Sequence, residues 1–404
     1  MSHLTPTSAI PAAATPVSPP DMPGTLVMLM ATTTGLGAAS LYYSQPILAL
    51  LAADLGVGTA AVGAIPMLTQ LGYAAGILLL TPLGDRYDRR RVILGKFGFL
   101  IAMLALCAMA QGLSAFLLAS ALLGLAATLA QDVVPLAASL SPPQRRGRIV
   151  GQVMTGLLLG ILLSRVISGL VAQTLGWRWV YGLAALVLVL LALASWRLLP
   201  STPPQQATPY PALLRSLRGL WAREPALRRA TLAQALLSLA FSAFWSTLAV
   251  MLHQRWGLSS LTAGAFGLAG AAGALAAPLA GRLSDRSGPA RVAQLGAALT
   301  ALGFAAMIPL PWLSQGSGLA LLVGATVLFD FGVQSALVAH QTLVYGLDAA
   351  ARSRLNALLV CGMFLGMASG AALGSLALQL FGWLGVVGLA CGASLGALYL
   401  RRQR

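Results

Sequence analysis

Leu83-Gly84-Asp85-Arg86-Tyr87-Asp88-Arg89-Arg90-Arg91 stands between two long apolar stretches, and a second version of it stands in the same setting 200 positions later as Gly281-Arg282-Leu283-Ser284-Asp285-Arg286-Ser287-Gly288. Further along, Arg148 is followed 29 residues later by Trp177 of Gly176-Trp177, and Arg354 is followed 29 residues later by Trp383 of Gly382-Trp383, an offset of 206. The repeat falls on charged loops rather than on apolar filler, so it reports a doubled unit. Two parallel halves, each too apolar for water, predict a transporter whose site lies between them.

Of 404 residues, 58% are hydrophobic and 8% charged, against roughly 25% charged in a soluble domain. Apolar stretches follow one another nearly end to end, each long enough to cross about 30 Å of hydrocarbon as a helix. Twelve spans are predicted, at 25–52, 60–81, 92–111, 113–139, 149–174, 178–198, 229–252, 260–281, 291–313, 317–345, 354–380 and 383–400. The fold class is therefore an all-α membrane protein of 12 transmembrane helices in two pseudo-symmetric six-helix bundles. The net charge of +16 reads as topology rather than as a nucleic-acid footprint: with both termini cytoplasmic, 22 of 25 Lys and Arg residues fall on the inner side. Arg178 and Arg255 then lie outside, and Arg165 lies within a span. The expected location is the inner (plasma) membrane, multi-pass, with anionic inner-leaflet lipid as a partner.

Residues 1–24, rich in Pro, Ala, Ser and Thr, read as a disordered cytoplasmic tail, 25–198 as the first bundle, 199–228 as a cytoplasmic linker and 229–404 as the second bundle with a short basic tail. Within the linker, Leu213, Leu214, Leu217, Leu220 and Trp221 share one side of a possible helix, which suits a helix on the inner leaflet or an irregular linker. Cys107, Cys361 and Cys391 stand in apolar spans without pairing or metal-ligand spacing, so neither a disulfide framework nor a metal site is expected. His3, His253 and His340 are widely separated, no phosphate-binding loop or nucleophile elbow is present, and the loops leave no room for a catalytic domain. The chain reads as no enzyme and as needing no cofactor. Its 44 glycines instead let helices approach closely.

The two loops resemble the signature G-x-L-a-D-R-x-G-R-R of the major facilitator superfamily, and the six-plus-six repeat extends that resemblance over the whole chain. A carboxylate at the Asp position can cap the positive end of a neighbouring helix, and the arginines can face anionic lipid or a carboxylate across the loop. The resemblance implies a conformational latch made by Asp85, Arg86 and Arg89 in the first copy and Asp285 and Arg286 in the second. Departures are Thr81 and Asp88 at the two Gly positions of the first copy, and Pro289-Ala290 in place of the basic pair in the second. Span five, with Gly151, Gly160, Ser164, Arg165, Ser168 and Gly169, resembles the antiporter motif G-x8-G-x3-G-P-x2-G-G, with Ser-Arg at the Gly-Pro step. Gly156, Gly160, Ser164 and Ser168 recur every fourth residue, a row expected to pack closely against the other half.

Three ionisable residues sit inside spans, Asp132, Arg165 and Asp330, each costing roughly 2.5–3.5 kcal/mol to insert. Thr326, Asp330, Gln334 and Gln341 form a polar stripe on span ten. Arg165 and Asp330 lie about 24 and 22 Å from the inner ends of their spans. In the resembled fold span five faces spans eight and ten, so an Arg165–Asp330 pair is expected to bridge the halves in one state and part in the other, or to be a fixed structural pair. Asp132 lies about 13 Å deep and is the alternative proton site. The resembled fold lines its cavity with spans one, four, seven and ten, which places Thr34, Gln45, Thr128, Gln234, Ser238 and the stripe there. Tyr42, Tyr43, Phe241, Phe244, Trp245, Phe329, Met154, Met363 and Met367 would add an aromatic and thioether lining suited to apolar or amphipathic molecules.

The resemblance implies a monomeric, proton-coupled exporter of small organic molecules working by alternating access, with protons and a small-molecule substrate as partners and no nucleic acid. The rivals are an importer or passive facilitator on the same fold, and a transport-inactive membrane sensor or assembly protein.

Overall fold

A computed structural model describes residues 22–142, 144–202, 210–348 and 351–402, without the side chains of Asp85, Leu213, Ala271, Ala272, Ala274, Leu275 and Ala277. Most of the expected tail over 1–24 lies outside the described residues. Where lipid supplies no hydrogen bonds the backbone must satisfy itself, and the described residues form helices and no strands. The first half comprises α1 (Gly24–Ala39), α2 (Leu48–Leu55), α3 (Thr59–Leu79), α4 (Leu83–Arg86), α5 (Arg89–Met109), α6 (Leu113–Ala126), α7 (Leu129–Leu140), α8 (Arg146–Leu175) and α9 (Trp177–Leu198). After α10 (Tyr210–Arg223) come α11 (Pro225–Trp256), α12 (Ser260–Ala265), α13 (Ala271–Ser287), α14 (Pro289–Ala306), α15 (Gln315–Tyr345) and α16 (Arg352–Arg402).

Nine helices among the described residues are long and apolar enough to cross a membrane. One of them, α16, is two passages joined at Gly382, where φ is +63°. Two further passages are broken. Span one runs α1, a turn, a 3-10 segment (Gln45–Ile47) and α2, and span eight runs α12, a 3-10 segment (Phe266–Leu268) and α13. That makes twelve. The repeat is written in the backbone too: Gly176 (φ +95°) and Gly382 turn the chain between spans five and six and between eleven and twelve, and each is followed by a buried tryptophan.

The halves meet along α3 and α16 and along α8 and α12. We call the end carrying the termini and α10 the terminal end, and the opposite one the distal end. At the distal end the Ala60 N–H donates to Gln379 Oε1 (3.2 Å) and Ser260 Oγ donates to the Gly169 carbonyl (3.1 Å). Midway, Ser242 Oγ donates to Gln70 Oε1 (3.3 Å) and Tyr73 packs on Phe364 with centroids 4.4 Å apart. A Cβ on Gly169 would lie 3.2 Å from Gly264 Cα, so the distal half of α8 touches α12 nearly backbone to backbone. Toward the terminal end α8 leaves Leu158, Leu159 and Leu163 exposed.

The linker does form a helix, and its apolar side is docked on protein rather than lying free on a leaflet. Leu217 and Leu220 are buried, and Leu220 packs with Leu227, Leu355 and Leu359 of the second half. Leu213 lies outside the described side chains. The other end of the linker is tied to the first half: Tyr210 Oη donates to the Leu79 carbonyl (2.9 Å), while the Ser201 hydroxyl and the Thr202 N–H (3.1 Å) donate to the Asp88 carboxylate. Asp88 also caps α5, accepting from the Arg90 N–H at 2.9 Å. That explains its place in the loop. The second copy makes the same turn with Gly288 at φ +85°, and the first makes it with a capping carboxylate.

Desolvation works against the Asp88 charge, but the hydrogen bonds from Ser201, Thr202 and Arg90 and the Arg91 charge outweigh it and hold the carboxyl below its ordinary value. A depressed pKa contributes stability above the ordinary value, about 3.9, which is lost as pH falls through the lower folded one. The gap in unfolding temperature between the wild-type protein and Asp88→Ala should therefore hold from about pH 7 to 5 and close below about pH 4. Thermal unfolding in detergent across that range checks it.

Candidate functional site

The break in span one turns the chain so that Tyr42 and Gln45 reach the middle of α8. Arg165 is 3% exposed and donates through Nε to Gln45 Oε1 at 2.9 Å. Its guanidinium carbon stands 4.2 Å from the ring centre of Trp245, 4.8 Å from Tyr42 and 5.9 Å from Phe241. Two of these rings belong to α11, so a buried cation is held by both halves through cation–π contact and one hydrogen bond. A Cβ on Gly267 would lie 3.0 Å from Arg165 Cβ, so the 3-10 break of span eight is what lets that segment approach.

Asp330 is 3% exposed on α15 and meets the same broken span further along, at Gly270 and Gly273. Its carboxylate accepts from the Gly273 N–H, in the first turn of α13, where the helix dipole favours negative charge. A Cβ on Gly270 would sit 3.6 Å from both Asp330 Oδ2 and the Trp245 ring. Arg165 and Asp330 are close enough for their charges to interact, but among the described residues Asp330 has no ion pair within 4 Å. The expected bridge is thus not closed here, and Arg165 is held by Gln45 and aromatic faces instead.

Several expected lining residues are buried between or within the halves. Thr128 is fully buried with its hydroxyl unpartnered. Thr326 bonds its own helix at the Leu322 carbonyl, 2.7 Å away, and Gln334 lies half-buried near Gly273. Gln234 accepts through Oε1 from His340 Nδ1 (2.9 Å), and Gln341 donates to Asn356 (3.4 Å). His340, set aside in the sequence as isolated, is the partner that Gln234 needed. Tyr43 is a correction. It points into the first half, edge-on to Tyr181 at 6.4 Å, because the turn after α1 sends successive tyrosines to opposite sides. A cavity of about 730 Å³ lies elsewhere, lined by α1, α8 and the residues leading into them, among them Met28, Leu159 and Arg148, with no lining residue from the second half.

The family model of the major facilitator superfamily matches residues 27–346 and again 230–404. The chain belongs to the major facilitator superfamily. It is 39% identical over 362 residues to a putative uncharacterized transporter, YgaY, of Escherichia coli (strain K12), covering 89% of this chain and 91% of that protein. It is 28% identical over 292 residues to a chloramphenicol resistance protein of Streptomyces lividans, covering 71% and 73%. The crystal structure of the nucleoside transporter NupG superposes with a TM-score of 0.78 over 93% of this chain and 98% of that one, at 14% identity. It is a transporter on this fold, and not an enzyme.

The Asp85 side chain lies outside the described residues; Arg86 is exposed over the Tyr87 ring, and Arg89 donates to the Gly84 carbonyl (3.2 Å). In the second copy Asp285 and Arg286 are exposed on the last turn of α13. The pin that sequence reasoning missed is deeper. Lys96 of α5 forms a buried ion pair with Asp132 of α7, directly beneath the loop, since a Cβ on Gly84 would meet Asp132 Oδ1 at 2.8 Å. Asp132, expected as the alternative proton site, is paired with Lys96 toward the terminal end. The missed signal was available: Lys96 is the only lysine in the sequence, and it stands inside an apolar helix.

The row of small residues on α8 divides between two partners. A Cβ on Gly156 would fall 2.4 Å from the Ala31 carbonyl oxygen, and one on Gly160 would fall 2.2 Å from that of Gly35, so this part of the row packs on α1 within its own half rather than across the interface. Ser164 and Ser168, buried nearer the distal end, flank Arg165 and return their hydroxyls to the helix carbonyls. Gly160→Leu should accordingly lower the stability of the protein, by about 1–3 kcal/mol or more for such overpacking. Gly169→Leu should leave it folded and raise labelling of a cysteine placed at Ala60. Thermal unfolding and maleimide labelling together separate the two.

A second test addresses the pin. Lys96→Met strands a buried carboxylate and should cost about 3–5 kcal/mol, while Lys96→Met with Asp132→Leu should recover most of it. Unfolding of the two singles and the double closes the cycle.

Proposed function

We propose that the protein is a proton-coupled exporter of small apolar or amphipathic organic molecules, set in the inner membrane with both termini cytoplasmic. The observation that carries the reading is the placement of Asp330: a buried carboxylate against Gly270 and Gly273 of the broken span eight, which a buried Arg165 from the other half meets at Gly267. A charge in such a place is costly unless it has a use. Alternating access rocks one six-helix half against the other. As the distal contacts part, Trp245 and Phe241 leave Arg165, the surroundings of Asp330 change with the same movement, and a proton can be exchanged with whichever side is open. The aromatic faces at Arg165 suit a substrate with an apolar body. Similarity to a chloramphenicol resistance protein supports small organic molecules as cargo. The charge bias supports a cytoplasmic terminal end.

Asp330→Asn tests the coupling. In proteoliposomes with an imposed pH gradient, the wild-type protein should accumulate its cargo uphill, whereas Asp330→Asn should lose uphill transport and retain downhill exchange. An Asp330→Asn protein that still concentrates cargo at the wild-type rate would remove the proton from this residue.

A further inference from the structure

Gln45 Nε2, Arg165 Nη2 and Trp245 Nε1 are buried donors without an acceptor among the described residues. They are neighbours, joined by the Arg165–Gln45 bond of 2.9 Å and the stacking of the guanidinium at 4.2 Å from the indole centre. Because Arg165 already occupies the Gln45 oxygen, the amide nitrogen has only its two protons to offer. Buried donors are nearly always satisfied in folded proteins. The gap lined by Gln45, Arg165 and Trp245 has no room for a water molecule in this conformation. An acceptor has to reach them when the halves part.

The donors specify what it is. All three groups give protons, one carries a full positive charge, and the Arg165 guanidinium has no carboxylate within 4 Å among the described residues. A carboxylate matches: its two oxygens offer about four lone-pair sites, and its bonds to a guanidinium are charge-assisted. A cation would be repelled. We infer that this cluster recognises the carboxylate of an amphipathic organic acid, with the acid's apolar body against the Tyr42 and Phe241 rings. The inference takes from the exporter reading that a small organic molecule is carried, and it is independent of where the proton binds.

The test is thermal unfolding of the purified protein in detergent with sodium benzoate, benzamide, benzylammonium or sodium chloride at equal concentrations. Benzoate should raise the unfolding temperature saturably, as a ligand of the folded state does, and the other three should not. Trp245→Phe keeps a ring and deletes one donor, and should weaken the benzoate effect about tenfold or more. Arg165→Gln should abolish it. Equal stabilisation by benzamide or benzylammonium, no effect of benzoate, or a benzoate effect unchanged in Trp245→Phe overturns the inference; equal stabilisation by chloride overturns the organic acid in favour of an inorganic anion. Asp330→Asn should keep the benzoate response, so failure of proton coupling and failure of this site give different results.

Discussion

A guanidinium buried in the middle of an apolar helix is the constraint around which the rest is arranged. Arg165 cannot be left bare, because an unsolvated cation would part the helices or draw in water. Its compensation comes from three directions. Span one gives the Gln45 oxygen and the Tyr42 face, α11 gives Trp245 and Phe241, and the broken span eight gives room through Gly267. Two of the three belong to the opposite half. The distal contact between halves and the solvation of this charge are therefore one event, and separating the halves requires that something else take the place of the rings.

The architecture was legible because charge is so sparse in this chain. With 8% charged residues, nearly every Arg and Asp marks a helix end or a site, which is why the repeat, the twelve passages, the linker and the intramembrane trio could be read from the sequence. What could not be read was who meets whom. The row of Gly156 and Gly160 announces a close contact, but small residues carry no address, and the contact is with α1 instead of the other half. Gln45 reaches Arg165 only because span one breaks between Ala39 and Leu48, and a break that still contains apolar residues leaves no periodic trace. Tyr43 misplaced itself for the same reason. Lys96 was absorbed into the charge bias, where one more basic residue near a helix end looks like topology, although its burial against Asp132 makes it structural.

The two halves, alike in sequence, are held differently at the terminal end. The first half has a buried ion pair under its loop, a carboxylate that caps α5 and grips the linker, and a tyrosine from α10 on the end of α3. The second half has a left-handed glycine where the capping carboxylate stood, and Pro289-Ala290 where the first copy has Arg89 and Arg90, both hydrogen-bonded to backbone carbonyls. Departures from the family signature that look like decay in the sequence are thus a division of labour in the structure.

That division bears on where movement starts. The first half is pinned at its loop, and α10 ties it to the second through Leu220. Span eight, by contrast, is interrupted by a 3-10 segment and carries Gly264, Gly267, Gly270 and Gly273 where its neighbours need closeness. A helix whose hydrogen-bond ladder is already broken bends there at little further cost. Arg165 touches this segment at Gly267 and Asp330 touches it at Gly273, six residues on. A change in what surrounds either charge therefore bears on a passage that is already interrupted, and this links the two charges without requiring that they touch.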